Sequence, residues 1–222
     1  GWLGGGRGGG GRGGVGEEGR LFKAPAPTTR CEANNPREGL VMGQCITLQG
    51  VPTLIEAARV LEAAPVEWLL IGRGQEAGRV RAMLEDRPLA KVRWLEWVDY
   101  EALCEHIHAA DLCLGIFGTS DKAATVIPNK VFQVIAAGKP IVTRDSPAIR
   151  ELLDPDTWSA ALVPAGDPEA LAAAVLQHIS FRARPSGASR ARLHAFTTAA
   201  IGRQLVDLLA RGYNDARASD DQ

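Results

Sequence analysis

A-D-L-C-L-G-I-F-G-T-S-D-K-A-A-T-V-I-P-N-K-V-F-Q-V-I-A-A-G-K-P-I-V-T-R-D-S-P-A-I-R-E-L-L runs from Ala110 to Leu153. It opens on a short apolar run (112–116), passes through a polar loop, enters a helical segment begun by Pro128 and closed by Gly138, and ends in a second apolar run (141–143). That order reads strand, long loop, helix, strand. In a parallel α/β sheet, loops leaving the carboxyl ends of strands form the ligand crevice, and a helix starting there directs unpaired N–H groups at a bound anion. Lys122 and Lys130 stand on either side of this helix start. Peptide dipoles and two cations converging on one place predict a phosphate site.

Outward from this stretch, strand and helix alternate. Strands are expected at 40–45, 67–71, 92–95, 112–114, 141–143 and 161–163. Pro52 suits the first turn of a helix whose Leu54, Ile55, Ala58 and Leu61 share one face. Further helices are expected at 76–85, at 100–109 with Asp99 as N-cap, and from Asp167-Pro168-Glu169 to about Ser180. Six nearly continuous apolar strands interleaved with helices specify an α/β fold, a doubly wound, Rossmann-like parallel sheet covered on both faces. Right-handed crossovers place all strand-to-helix loops at one sheet edge. The loops 44–50, 72–75, 96–99, 117–128 and 144–148 then line a single cleft.

Eleven of the first sixteen residues are glycine, so backbone entropy argues against an ordered start. We divide the chain into a Gly-rich disordered tail (1–37), a Rossmann-like domain (38–182), and a terminal amphipathic helix (188–211) with a polar tail (183–222). Arg7 and Arg12 alone are a thin basis for RNA binding. Net charge is −1, with both signs spread along the chain, so nucleic acid is not expected as a partner. No apolar run is long enough to span a membrane and no signal peptide is recognised; a cytoplasmic location is expected. Cys31, Cys45, Cys104 and Cys113 show no metal-binding spacing, and reduced thiols are expected.

Five pieces in order resemble the nucleotide-binding, carboxyl-terminal domain of GT-B fold glycosyltransferases, specifically the retaining family 4 enzymes that use nucleotide-activated sugars. They are G-Q-C-I-T-L-Q-G-V-P-T-L-I-E-A-A (43–58), L-L-I-G-R-G-Q (69–75), V-R-W-L-E-W-V (92–98), H-A-A-D-L-C-L-G-I-F (108–117) and I-P-N-K-V-F-Q-V-I-A-A-G-K-P-I-V-T (127–143). The resemblance implies that Gly43 and Gly50 flank the loop approaching the donor phosphates. Many relatives carry Arg and Lys within that loop; here Gln44 and Gln49 stand there. Lys122 and Lys130 are then candidates to supply the missing charge.

Gly72 and Gly74 resemble the G-x-G turn after the second strand, and the 94–98 segment the place where the base is held. Trp97 there is a stacking candidate, plain core or a domain contact. The family's E-x7-E pair falls on Thr125 and Gln133. Gln133 can partly serve the ribose; Thr125 replaces a carboxylate, leaving Asp121 or Lys122 as candidates near the sugar. The N–H groups of Asn129, Lys130 and Val131 match the diphosphate-holding positions.

Bland readings accompany the rest. His106 and His108 lie two apart on a helix and make poor co-ligands. Glu151 is read as a solvated helix residue before a ribose contact. The loop of Asp145, Ser146 and Pro147 is read as a helix cap before a sugar contact.

The resemblance implies sugar transfer from a nucleoside diphosphate to an acceptor hydroxyl with retention, with no metal or other cofactor. No residue is assigned a catalytic role. The acceptor-binding domain of a GT-B enzyme has no counterpart here, so the chain is expected to be a fragment, or a donor-binding subunit completed by a partner. A non-catalytic nucleotide-sugar-binding module is the alternative. A nicotinamide-dependent enzyme, suggested only by Gly72-Arg73-Gly74, ranks far behind.

Overall fold

A computed structural model describes residues 37–42, 49–153, 160–180 and 203. Among these, six strands form one sheet: β1 (Arg37–Met42), β2 (Val66–Ile71), β3 (Val92–Leu95), β4 (Leu112–Leu114), β5 (Ile141–Arg144) and β6 (Ala160–Val163). Seven helices accompany them: α1 (Val51–Val60), α2 (Ala77–Asp86), α3 (Tyr100–Ala109), α4 (Asp121–Thr125), α5 (Asn129–Ala136), α6 (Pro147–Leu152) and α7 (Pro168–Ser180).

All strand pairs are parallel, in the order β3-β2-β1-β4-β5-β6. The order reverses between β1 and β4, and the doubly wound, Rossmann-like class expected from the sequence is the one observed.

The two faces follow from side-chain alternation. Trp68 and Leu70 of β2, with Leu112, Leu114 and Val142, pack under α1, α2 and α7. Leu69 and Ile71, with Cys113 and Ile141, pack under α3, α5 and α6. Successive residues of a strand point to opposite faces, so a strand buried on both sides must be apolar throughout. β4 is the clearest case, with Leu112, Cys113 and Leu114 all buried. After β6 the chain returns to the first face, where α7 packs on α1.

Local chemistry ends these elements where expected. The Asp99 carboxylate accepts the Ala102 N–H at 2.7 Å, and Asp167 accepts from Ala170 at 2.9 Å. Gly138 takes φ 69° just past α5, a conformation that halts a helix and that side chains resist.

Two expectations need correction. The first strand begins at Arg37, ahead of the expected start at 40, because Arg37 through Met42 pair residue by residue with Val66 through Ile71; the rest of the expected span, 43–45, lies outside the described residues. Arg37, assigned above to the tail, is therefore strand. The 117–127 loop is not continuous coil: Ser120 Oγ accepts the Ala123 N–H at 3.3 Å and caps the short helix α4. The segment 188–211 lies outside the described residues, apart from Arg203.

Candidate functional site at the strand-order reversal

Gln49 and Gly50, just before α1, meet the segment that leaves β4, the strand beside β1 at the reversal of strand order. The Phe117 N–H donates to the Gln49 carbonyl at 3.0 Å. Gly50 sits at φ 64°, and a Cβ there would fall 2.5 Å from the Phe117 carbonyl carbon and 2.6 Å from the Gly118 nitrogen. Only a residue without a side chain lets these backbones touch in this geometry. Glycine at position 50 is thus required for loop-on-loop packing, whatever else it approaches.

Lys130, in the first turn of α5, is only 6% exposed, and its Nζ donates to Oε1 of Gln49, itself buried. A buried ammonium needs polar partners to offset lost hydration. The pair places a fixed cation at the start of α5, where helix N–H groups also point.

The N–H of Asn129 has no partner among the described residues. The N–H of Val131 donates to the Pro128 carbonyl at 2.9 Å, and its side chain is fully buried. The tight turn after Pro128 uses up that donor. Gln133 is half-buried on α5.

Arg144 completes the cluster, and the sequence reading did not single it out. It ends β5, is 8% exposed, and its Nη1 donates to the carbonyls of Gly118 and, at 3.3 Å, Ser120. A charged residue closing the buried run I-V-T-R was the available signal. Gly166 grips the same loop from β6's side, its N–H donating to the Phe117 carbonyl at 3.2 Å. Thr143 Oγ1 accepts from the Ile116 N–H at 3.2 Å and holds the base of the loop.

Lys122 and Thr125 are exposed on α4, and the Thr125 hydroxyl donates to the carbonyls of Lys122 at 3.2 Å and Asp121 at 3.4 Å. Gly72 (φ 143°) follows β2, the strand beside β1; its carbonyl accepts the Trp94 indole N–H at 2.8 Å. Gly74 is exposed in the same turn. Trp97, beyond β3, is 60% exposed, which removes the core reading. Gly43 and Gln44 lie outside the described residues.

Ser146 settles the capping question: its buried Oγ accepts the Ile149 N–H at 3.2 Å and caps α6. Both Asp145 oxygens are bound by Arg150, each at 2.6 Å. That hydrogen-bonded pairing holds the Asp145 carboxyl below its ordinary range, with the Arg150 and Arg144 charges adding to it against some desolvation. Glu151 is exposed. Among the described residues no group of three or more His, Cys, Asp or Glu is placed to hold a metal, and no helix is long and apolar enough to cross a membrane.

The profile of the family Glycosyl transferases group 1 matches residues 37–180. No curated protein sequence matches the chain. Among solved structures, sucrose-phosphate synthase from Thermosynechococcus elongatus superposes with a TM-score of 0.69 at 22% identity, covering 89% of this chain and 51% of that one. Anabaena HepE in complex with UDP and glucose gives 0.65 at 19% identity, covering 80% of this chain and 49% of that one. The C-terminal domain of a glycosyl transferase group 1 family protein from Francisella tularensis gives 0.58 at 15% identity, covering 73% of this chain and 87% of that one. The chain thus spans about half the length of the first two and most of an isolated C-terminal domain. With its parallel sheet and a profile match running from β1 through α7, the chain belongs to the glycosyl transferases group 1 family and carries the Rossmann-like domain of the GT-B fold.

Proposed function

We propose that this domain is the donor half of a retaining glycosyltransferase: it binds a nucleoside-diphosphate sugar and presents it to an acceptor hydroxyl held by a second domain or a partner chain. The observation that carries this is Lys130 buried against Gln49 at the start of α5, where Gln49 meets the segment after β4. Gln49 brings no charge of its own; the cation beside it arrives from α5.

In the reaction the acceptor oxygen bonds to the anomeric carbon and its proton passes to the departing diphosphate oxygen, while the bond from that carbon to the diphosphate breaks. Negative charge grows on the leaving diphosphate. Preoriented N–H groups and a cation in a water-poor cleft stabilise that charge more than water would, because they need no reorganisation. Lys130 and the first turn of α5 fill this role, with a ribose contact assigned to Gln133 and a base platform to Trp97. The cytoplasm, where nucleotide sugars are made, is the proposed location; UDP is the bound nucleotide in HepE and the first donor to test.

Thr125 favours a second reading, a binding module without turnover, since an exposed hydroxyl stands where a carboxylate is expected. The nicotinamide reading loses ground on topology: Gly72 and Gly74 follow β2, one strand away from the reversal, whereas a dinucleotide fingerprint follows the first strand.

Calorimetric titration with UDP, GDP, ADP and their sugar conjugates tests the proposal. At least one diphosphate is expected to bind, and Lys130→Met to weaken it roughly 10- to 150-fold, the equivalent of one charge-assisted hydrogen bond of about 1.5–3 kcal/mol. Equal binding by both proteins refutes the role of Lys130. Turnover on adding an acceptor domain separates the enzyme from the binding module.

A further inference from the structure

Arg144 is a buried cation whose hydrogen-bond acceptors among the described residues are backbone carbonyls. Its Nη1 holds the Gly118 and Ser120 carbonyls, and its Nε reaches the Asp145 carbonyl at 3.5 Å. The nearby Asp145 carboxylate is taken up on both oxygens by Arg150. Carbonyl dipoles and a shared carboxylate offset only part of the cost of burying a charge, and a further anion close by would offset more of it.

The carbonyls Arg144 grips belong to the loop that carries the site. Phe117 and Gly118 form the surface on which Gly50 rests. Ser120 is the residue whose hydroxyl caps α4, so Arg144 also sets where α4 begins and hence where Lys122 and Thr125 stand. Both carbonyls are bound by the one nitrogen Nη1 while Nε reaches a third at 3.5 Å; a lysine, with one nitrogen on a shorter stem, supplies only part of this set.

We propose that Arg144 is a positioning residue for donor recognition, latching the 117–120 loop at the strand-order reversal in the shape that receives the donor diphosphate. The inference rests on the nucleotide-binding reading above.

Hydrogen–deuterium exchange and calorimetry on the full chain test it together, with Arg144→Met and Arg144→Lys. The Met variant is expected to exchange amides of residues 115–125 at least about tenfold faster, with α1 and α7 unchanged, and to bind the diphosphate about tenfold or more weakly. The Lys variant is expected to fall between it and the parent. Should the Met variant not fold, the Lys variant carries the same comparison. Unchanged loop exchange, or faster exchange with affinity within twofold of the parent, overturns the proposal while leaving the nucleotide reading intact. Failure of the parent chain to bind any diphosphate overturns the nucleotide reading, and the donor role of Arg144 with it.

Discussion

Replacing Gly50 by alanine puts a methyl group where the structure has no room. At φ 64° an alanine costs about 1–2 kcal/mol relative to glycine, because its Cβ crowds its own carbonyl. The new Cβ would also lie 2.5, 2.6 and 2.9 Å from three backbone atoms of Phe117 and Gly118. Those atoms are pinned by the Phe117–Gln49 and Gly166–Phe117 hydrogen bonds and by Arg144, so relief requires moving a whole loop. Overpacking of this kind costs about 1–3 kcal/mol. The sum, roughly 2–5 kcal/mol, is a large share of the stability of about 5–15 kcal/mol typical of a domain. Thermal unfolding is expected to drop by roughly 5–20 °C, and UDP affinity to fall with it as the two loops part. Gly78→Ala is the control: it lies in α2 with nothing within 4 Å of its added methyl. That substitution is expected to stabilise by up to about 1 kcal/mol, since alanine loses less backbone freedom in a helix. A Gly50→Ala protein within about 0.5 kcal/mol of the parent, a shift ordinary for surface substitutions, would refute the loop-on-loop packing.

Ser146→Ala is expected to cost about 1–2 kcal/mol in urea unfolding, because the Ile149 N–H loses its acceptor in a buried setting; an unchanged midpoint would mean the cap contributes nothing. Asp145, its carboxyl held low by Arg150, contributes stability that is present above the unfolded carboxylate value near 4 and is lost as pH falls through the lower folded value. The stability gap between the parent and Asp145→Asn should therefore be full at neutral pH and close in acid, and a gap independent of pH would count against the pairing.

Much of the architecture was legible because burial on both faces imposes a pattern a chain cannot hide. L-C-L at 112–114 and I-V-T at 141–143 have nowhere to be except a doubly covered sheet. Capping was legible too, since Asp99, Ser146 and Asp167 act within three residues of themselves. The start of the first strand was not, because Arg37 reads as tail and Glu38 as a polar residue ahead of the strand until pairing with Val66 and Glu67 makes both strand. Helix α4 was missed for the same reason: S-D-K-A-A-T is polar enough to read as loop, and a short capped turn follows only once Ala123 is buried.

The candidate site divides along the same line. By itself the sequence determined that a cation-flanked helix start follows a polar loop at a strand's carboxyl end, because periodicity, Pro128 and the positions of Lys122 and Lys130 are local facts. Only the tertiary structure gave the two lysines different surroundings: Lys130 is buried on Gln49, 81 positions away in the chain, whereas Lys122 is exposed. It alone revealed Arg144 as the residue holding the loop, and Val131 as a core side chain with its N–H already used. The physical reason is range: helix starts and apolar alternation are written in neighbouring residues, but the charge that meets a ligand is set by which distant backbones pack together and what water they exclude.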